Sequence, residues 1–431
     1  MLNSSKLYKL TSSLFVRQIS ILSSGNAISY LLAFIALPIL TRIFPKESFD
    51  WLTLYISFIS IGGVILSLQY EKALVVCKEN HEVSKLFFLS ILSATFITLF
   101  LFLLTFITLQ FSIFSVILDK YSSSFLVYII IGAWAAAVYQ SAMQLLNKQE
   151  AYTLMSFSKV VVALLTVCFQ FLFWKYPIIG LPLALVIGHV LGKGLSLIVV
   201  SRQCLAVLTD ALNYSLGSYK SLIIKFKDFQ KFNLTAVIID KIASELPVLL
   251  ITIWFTQYLA DYGMAFRVLM IPLALFCTSY SQVFMRKASD LWNKNDDIRP
   301  LIKKTWLFIG SLLIVPFILL LIFGSHLFGL VFGEEWSTAG KIAAYLVPVQ
   351  WFTAISSTTS VTYTVIRKQK YMVIFSIISI FYRIGSFSLG YYLGDFERAL
   401  FAFTICNITV LLFYNIILFK YSNPKYNKKK Y

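Results

Sequence analysis

Between Leu86 and Gln110 the chain reads "LFFLSILSATFITLFLFLLTFITLQ", without one charged side chain. A segment of that length and polarity has few folded destinations. Crossing the hydrocarbon core of a bilayer takes roughly 20 apolar residues in helical form, because every backbone N–H and C=O must be paired within the segment. Similar runs recur along the whole chain, and the composition agrees: 59% of the 431 residues are hydrophobic and 13% charged, far from the balance of an ordinary soluble domain. The expected class is an all-α polytopic membrane protein.

Hydropathy places spans near 19–44, 49–69, 86–110, 124–146, 152–174 and 178–201, and a second set near 232–257, 261–284, 305–331, 340–366, 371–393 and 397–419. The boundary is least defined over 111–124. The first span is expected to stay in the mature protein, since it is too long for a signal peptide and has no small-residue cleavage pattern.

A formal net charge of +18 raises the question of a nucleic-acid partner, and the distribution of the charge answers it. Lys6, Lys9 and Arg17 precede the first span, Lys72, Lys78 and Lys85 follow the second, and Lys148 and Lys159 flank the turn after the fourth. Heavier clusters follow the sixth (Arg202 to Lys231), eighth (Arg286 to Lys304) and tenth (Arg367 to Lys370) spans, and Lys420, Lys425 and Lys428 to Lys430 end the chain. The alternate loops hold only Lys46, Lys120, Lys175, Lys341 and Arg398. Positive charge marks the cytoplasmic side, so both termini are expected there, and the basic excess meets anionic lipid headgroups rather than nucleic acid.

Five cysteines, Cys77, Cys168, Cys204, Cys277 and Cys406, are scattered without CxxC spacing, which implies neither a disulfide framework nor a metal site. Asp296 and Asp297 in "WNKNDDIRP" lie in a basic loop with no partner cluster, a poor setting for a catalytic metal pair. The outward loops, among them "PKES", "WKYP" and "GDFER", are too short to fold as a catalytic domain. No catalytic residue and no cofactor are expected.

Two equal halves are implied. Residues 1–201 read as an N-terminal six-helix bundle, 202–231 as a basic cytoplasmic linker, 232–421 as a second six-helix bundle and 422–431 as a basic tail. Weak internal similarity supports the division: Pro38 precedes "SFDWLTLYISF" as Pro247 precedes "DYGMAFRVLMIP", and matching Phe49 to Tyr262 brings Tyr70 close to Phe284. Many secondary transporters are built from such repeats, with the substrate path between the halves. The expected architecture is two bundles around a central cavity.

Several pieces in order along the chain carry a family resemblance. The first span has Gly25, Pro38 and "LTRIF" followed by Pro45 and Phe49; the second ends in "LQYEKAL"; "QLLNKQEAYTLMSFSK" forms the turn between spans four and five; "YGMAFRVLMIP" and "FGEEWSTAGKIAAYLVP" occupy the second half. Together they resemble the polysaccharide-unit flippases, the Wzx-type branch of the multidrug/oligosaccharidyl-lipid/polysaccharide exporter superfamily. Asp50 stands where that family often has glycine, and Gln69 where it usually has arginine before Tyr-Glu. The resemblance implies transfer of undecaprenyl-pyrophosphate-linked oligosaccharide repeat units, for O-antigen or capsule, from the cytoplasmic to the periplasmic leaflet of a bacterial inner membrane by alternating access. The partners it implies are that lipid-linked glycan, membrane lipids, and a polysaccharide polymerase with its chain-length regulator.

Ionisable groups inside spans are costly and mark pathways or buried pairs. Arg42, Lys193, Lys241, Arg267 and Arg383 are the candidates to line a cationic cavity for the pyrophosphate, and guanidinium suits phosphate oxygens. A plainer reading also stands: Lys241 and Glu245, spaced i,i+4, could neutralise each other, and Arg42 could reach the interface. Glu71, Asp240 and Glu245 are candidates for gating or for carrying a proton or sodium. Glu71 reads equally as a solvated helix end beside Lys72, and His189 as a packing residue. Tyr30, Tyr55, Trp134 and Tyr139 are aromatic groups that could stack on sugar rings.

Other functions remain open on the sequence. A multidrug exporter of the same superfamily would accept small cations, which a cationic cavity repels. A lipid II flippase is a variant of the same chemistry. A membrane glycosyltransferase or polymerase would need loops and a catalytic cluster that the chain does not display.

Overall fold

The computed structural model describes residues 4–77, 79–110, 123–176 and 180–424, and among them there are helices and no strands. Lys78, the stretch 111–122 with Lys120, and the terminal 425–431 with the basic residues expected there lie outside the described residues.

In chain order the helices are α1 (Ser4–Ile43), α2 (Lys46–Leu66), α3 (Tyr70–Val76), α4 (Asn80–Gln110), α5 (Ser123–Lys148), α6 (Tyr152–Trp174), α7 (Leu181–Leu212) and α8 (Leu216–Trp254). They continue as α9 (Leu259–Pro272), α10 (Thr278–Asn293), α11 (Arg299–Phe332), α12 (Ser337–Ser360), α13 (Thr362–Val365), α14 (Lys370–Tyr392) and α15 (Phe396–Tyr421). A π-helical turn, Leu273–Cys277, joins α9 to α10.

Among the described residues, ten helical segments are each long and apolar enough to cross a membrane. The two further expected spans, 232–257 and 340–366, fall on α8 and α12, which are not among the ten. The reason is visible along each helix. The later part of α8 carries Asp240, Lys241 and Glu245, and α12 ends in a run of Ser and Thr from Ser356 to Ser360. Most of α12 is buried by its neighbours, and a helix enclosed by other helices meets no lipid, so it tolerates polar side chains.

The chain divides into two compact units, one of Met1–Ala36 with Ile43–Lys241, the other of Leu37–Arg42 with Ile242–Tyr431. The division falls within α8. The basic stretch 202–231 is itself helical, formed by the end of α7 and the start of α8.

In the first unit α6 and α7 form the most extensive helix pair, α2 packs on α5 and α7, and α3 rests on α4 and α5. The α6–α7 crossing depends on small residues. A Cβ added at Gly192 would stand 2.6 Å from the backbone nitrogen of Thr166, so the backbones approach as closely as glycine alone allows. At the end of α3, Tyr70, Ala73, Leu74, Leu86, Phe87 and Leu145 close an apolar core with Leu222.

In the second unit α12 packs against α9, α11 and α15, and α14 pairs with α15. Here Gly340 of α12 meets Gly324 of α11: a Cβ on Gly340 would lie 2.2 Å from the carbonyl oxygen of Gly324. Phe284, Ile298, Ile302, Tyr363, Tyr414 and Leu418 form the core nearby. The positions matched in the sequence repeat are buried in both units, Phe49 with Tyr262 and Tyr70 with Phe284.

Candidate functional site

The first unit contains a cavity of about 580 Å³, and helical periodicity explains which side chains enter it. Residues four apart on a helix share a face. On α7 these are His189 and Lys193; on α8, Val237 and Lys241; on α5, Ala136 and Gln140, with Tyr139 beside them. The wall formed by α2 is mostly apolar, Ile56, Ile59, Gly63 and Val64, interrupted by Ser60. Gln69 and Lys72 enter from the break between α2 and α3.

That break is unusual. Leu68 (φ 49°) and Gln69 (φ 59°) are successive non-glycine residues in left-handed backbone conformation, a region that side chains with a Cβ disfavour. It ends α2 at Leu66 and restarts the helix as α3 at Tyr70. Glu71 then falls on the interior side, fully buried. Its Oε1 accepts from Gln69 Nε2 at 3.1 Å and from Gln140 Nε2 at 3.4 Å. On its other side Gln69 Oε1 accepts from Asn233 Nδ2 of α8 at 3.2 Å. Burial pushes the Glu71 carboxyl above the usual carboxylate range, and the nearby backbone N–H of Glu71, the Ser67 hydroxyl and, least, Lys72 offset this only in part.

Three ammonium groups, Lys72, Lys193 and Lys241, thus line one cavity together with His189, Gln69 and Gln140. Lys241 Nζ donates to Ser60 Oγ at 3.3 Å, and the His189 ring meets Tyr55 edge-on at 5.4 Å. A pocket with this lining can hold an anion by charge and a polar neutral group by hydrogen bonds.

Of the cations expected to act together, the structure brings Lys193 and Lys241 into this cavity. Arg42 is exposed at the end of α1 and belongs to the second unit, as do Arg267 on α9 and Arg383 on α14. Arg267 and Arg383 are half-buried. Arg383 Nε donates to Tyr382 Oη at 3.3 Å, its guanidinium lies 6.0 Å from the Phe403 ring centre, and its buried Nη1 has no hydrogen-bond partner. Tyr262 of α9 feels the charges of both Arg383 and Glu245. Asp240 is exposed on α8.

Among the aromatic candidates, Tyr139 lines the cavity. Tyr55 is buried behind it, Tyr30 is exposed, and Trp134 donates to Thr95 Oγ1 at 3.1 Å. Lys72, Gln69 and Gln140 are the lining residues that the sequence reading missed. The clue available was the spacing of Asn233 and Lys241, two turns apart on one face of α8.

Three other acidic groups, Asp297, Glu79 and Glu82, are engaged elsewhere. Asp297 holds Arg299 with contacts of 2.7–3.0 Å, and that guanidinium keeps its carboxyl below the usual range. Glu79, His81 and Glu82 come within mutual ligating distance, yet Glu82 is already paired with Lys225 of α8 and His81 with Glu79 at 3.1 Å.

The helical layout is that of a polytopic all-α membrane protein. It is shared with the lipid II flippase MurJ in an inward closed conformation (15% identity, 93% of this chain and 89% of that one, TM-score 0.70). It is shared also with the MATE multidrug transporter DinF-BH (15%, 95% and 96%, 0.67) and a MOP superfamily transporter from Pyrococcus furiosus (12%, 95% and 96%, 0.61). The model of the polysaccharide biosynthesis protein family matches residues 15–284, and the chain belongs to that family. No curated protein matches the chain.

Proposed function

We propose that this protein is a flippase that moves a pyrophosphate-linked oligosaccharide on a polyprenyl carrier from the cytoplasmic to the periplasmic leaflet of a bacterial inner membrane, as a step in surface polysaccharide assembly. The observation that carries this reading is the convergence of Lys72, Lys193 and Lys241 on one cavity in a chain of the polysaccharide biosynthesis family. Two phosphate groups carry the charge that three ammonium groups seek, while the prenyl tail stays in lipid. The cavity opens alternately to either side, and no covalent step is required of the protein. Both termini lie in the cytoplasm, and a polymerase with its chain-length regulator consumes the product.

The test is a deletion strain in which lipid-linked oligosaccharide is quantified in each leaflet alongside surface glycan. Complete repeat units held on the cytoplasmic leaflet, with surface glycan lost, are the expected result. Truncated units, or complete units already on the periplasmic side, would assign the protein to another step.

Export of small organic cations is the competing reading within the same fold. The lysine lining speaks against it, since like charges repel in a low-dielectric cavity.

A further inference from the structure

Glu71 does not line the cavity, yet it touches two residues that do. Both glutamine amides give their N–H groups to a single oxygen, Glu71 Oε1, while Oε2 has no hydrogen-bond partner. An amide side chain has a donor end and an acceptor end, and the acceptor it meets decides which way it points. With their NH2 groups held by Glu71, Gln69 and Gln140 turn their carbonyls away from it. The Gln69 carbonyl is met by Asn233. No described residue meets the carbonyl of Gln140, a residue that lines the cavity with the three lysines.

The backbone serves the same arrangement. Two successive non-glycine residues in left-handed conformation, Leu68 and Gln69, are retained where the surroundings over-determine them, commonly at functional sites. Here they bring Gln69 and Glu71 together on one side of the break.

We propose that Glu71 is a positioning residue that sets the specificity of the cavity: by holding Gln140 through its NH2 group it presents the amide carbonyl to the space lined by Lys72, Lys193 and Lys241. The site then selects an anionic group joined to a hydrogen-bond donor, such as a sugar hydroxyl or acetamido N–H, over the anion alone. This rests on the anionic-headgroup reading of the cavity given above.

The experiment is calorimetric titration of the purified full-length protein with geranyl pyrophosphate and with geranyl-pyrophosphate-linked N-acetylglucosamine. The wild type is expected to prefer the sugar-bearing probe by about two- to tenfold, the worth of one neutral hydrogen bond. Glu71→Met, which removes the acceptor, and Gln140→Met, which removes the carbonyl, should both lose that preference while still binding geranyl pyrophosphate. Glu71→Gln, which keeps an acceptor oxygen, should retain it. If Glu71→Met leaves the preference intact, or weakens both probes equally, the positioning role is overturned. Gln140→Met decides the matter if Glu71→Met fails to fold. A wild type that binds both probes equally also overturns it, with the anion site left standing. Failure of geranyl pyrophosphate to bind at all would instead remove the reading beneath it.

Discussion

Lys241 Nζ on α8 donates to Ser60 Oγ on α2 at 3.3 Å, so one of the cavity's cations rests on a neutral hydroxyl. A phosphate oxygen is a stronger acceptor than a hydroxyl, because hydrogen bonds to ionised groups are shorter and roughly twice as strong. On the proposed function, a pyrophosphate entering the cavity would offer this ammonium a stronger acceptor than the Ser60 hydroxyl it now meets.

Replacing Lys193 or Lys241 by Ala should weaken binding of geranyl pyrophosphate by about ten- to a hundredfold, the worth of one charge-assisted hydrogen bond at ~1.5–3 kcal/mol. Titration of each variant measures it. Unchanged affinity in both would show that the lysines serve packing.

Arg383 carries a buried Nη1 with no hydrogen-bond partner. Removing a guanidinium so placed sacrifices little stability, so Arg383→Ala should stop glycan export while leaving the amount and the melting temperature of the membrane-inserted protein close to wild type. Arg267→Ala should likewise stop export. The measurements are surface glycan in a complemented deletion strain and thermal unfolding in detergent; full export by either variant removes that arginine from the path.

Glu71 yields a pH prediction with a definite sign. Burial raises its carboxyl above the unfolded value, so the folded state binds this proton more tightly than the unfolded one. The cost of ionising the buried group is absent below the unfolded pKa and grows as pH rises through the window up to the folded pKa. Glu71→Gln should accordingly melt higher than wild type at pH 7, and the gap should close as the pH falls towards 4. A gap that widens on acidification would contradict the burial of this group.

Gly340→Val should be poorly tolerated. The new side chain would meet backbone rather than a movable side chain at Gly324, and overpacking of this kind costs about 1–3 kcal/mol. A clear drop in melting temperature is expected; wild-type stability would mean that α11 and α12 do not cross at these glycines.

Reporter fusions test the topology. A C-terminal green fluorescent protein should fluoresce and a C-terminal alkaline phosphatase should be inactive if the C-terminus is cytoplasmic, as the basic loops require. The reverse pattern would invert the whole orientation.

How much of this was legible beforehand follows from the range of each interaction. Apolar runs such as Leu86–Gln110 announce their helices because length and polarity are local properties. Lys193 and Lys241 stood out because a charge within a span is conspicuous. Lys72, Gln69 and Gln140 did not, since polar residues at helix ends are ordinary and the hydrogen bond from Gln140 to Glu71 joins residues far apart in sequence. The left-handed break at Leu68 and Gln69 was equally silent: it contains neither glycine nor proline nor asparagine, the residues that normally signal such a turn. For α8 and α12 the reading of apolar runs weakened for two other reasons: α8 carries Asp240, Lys241 and Glu245 within the expected span, and α12 is largely enclosed by other helices, where a polar residue meets no lipid.

Helix α8 runs for 39 residues, about 58 Å at ~1.5 Å per residue, close to twice the ~30 Å thickness of a hydrocarbon core. One continuous rod therefore bears Lys225, clasped to Glu82 of α4, and, further along, Asn233 and Lys241 at the cavity. A rod does not stretch, so any slide of α8 along its axis must either carry all three contacts together or break the clasp first. The clasp on α4 and the ammonium at the cavity are thus bound to one rigid span, so neither contact can shift along the axis without the other.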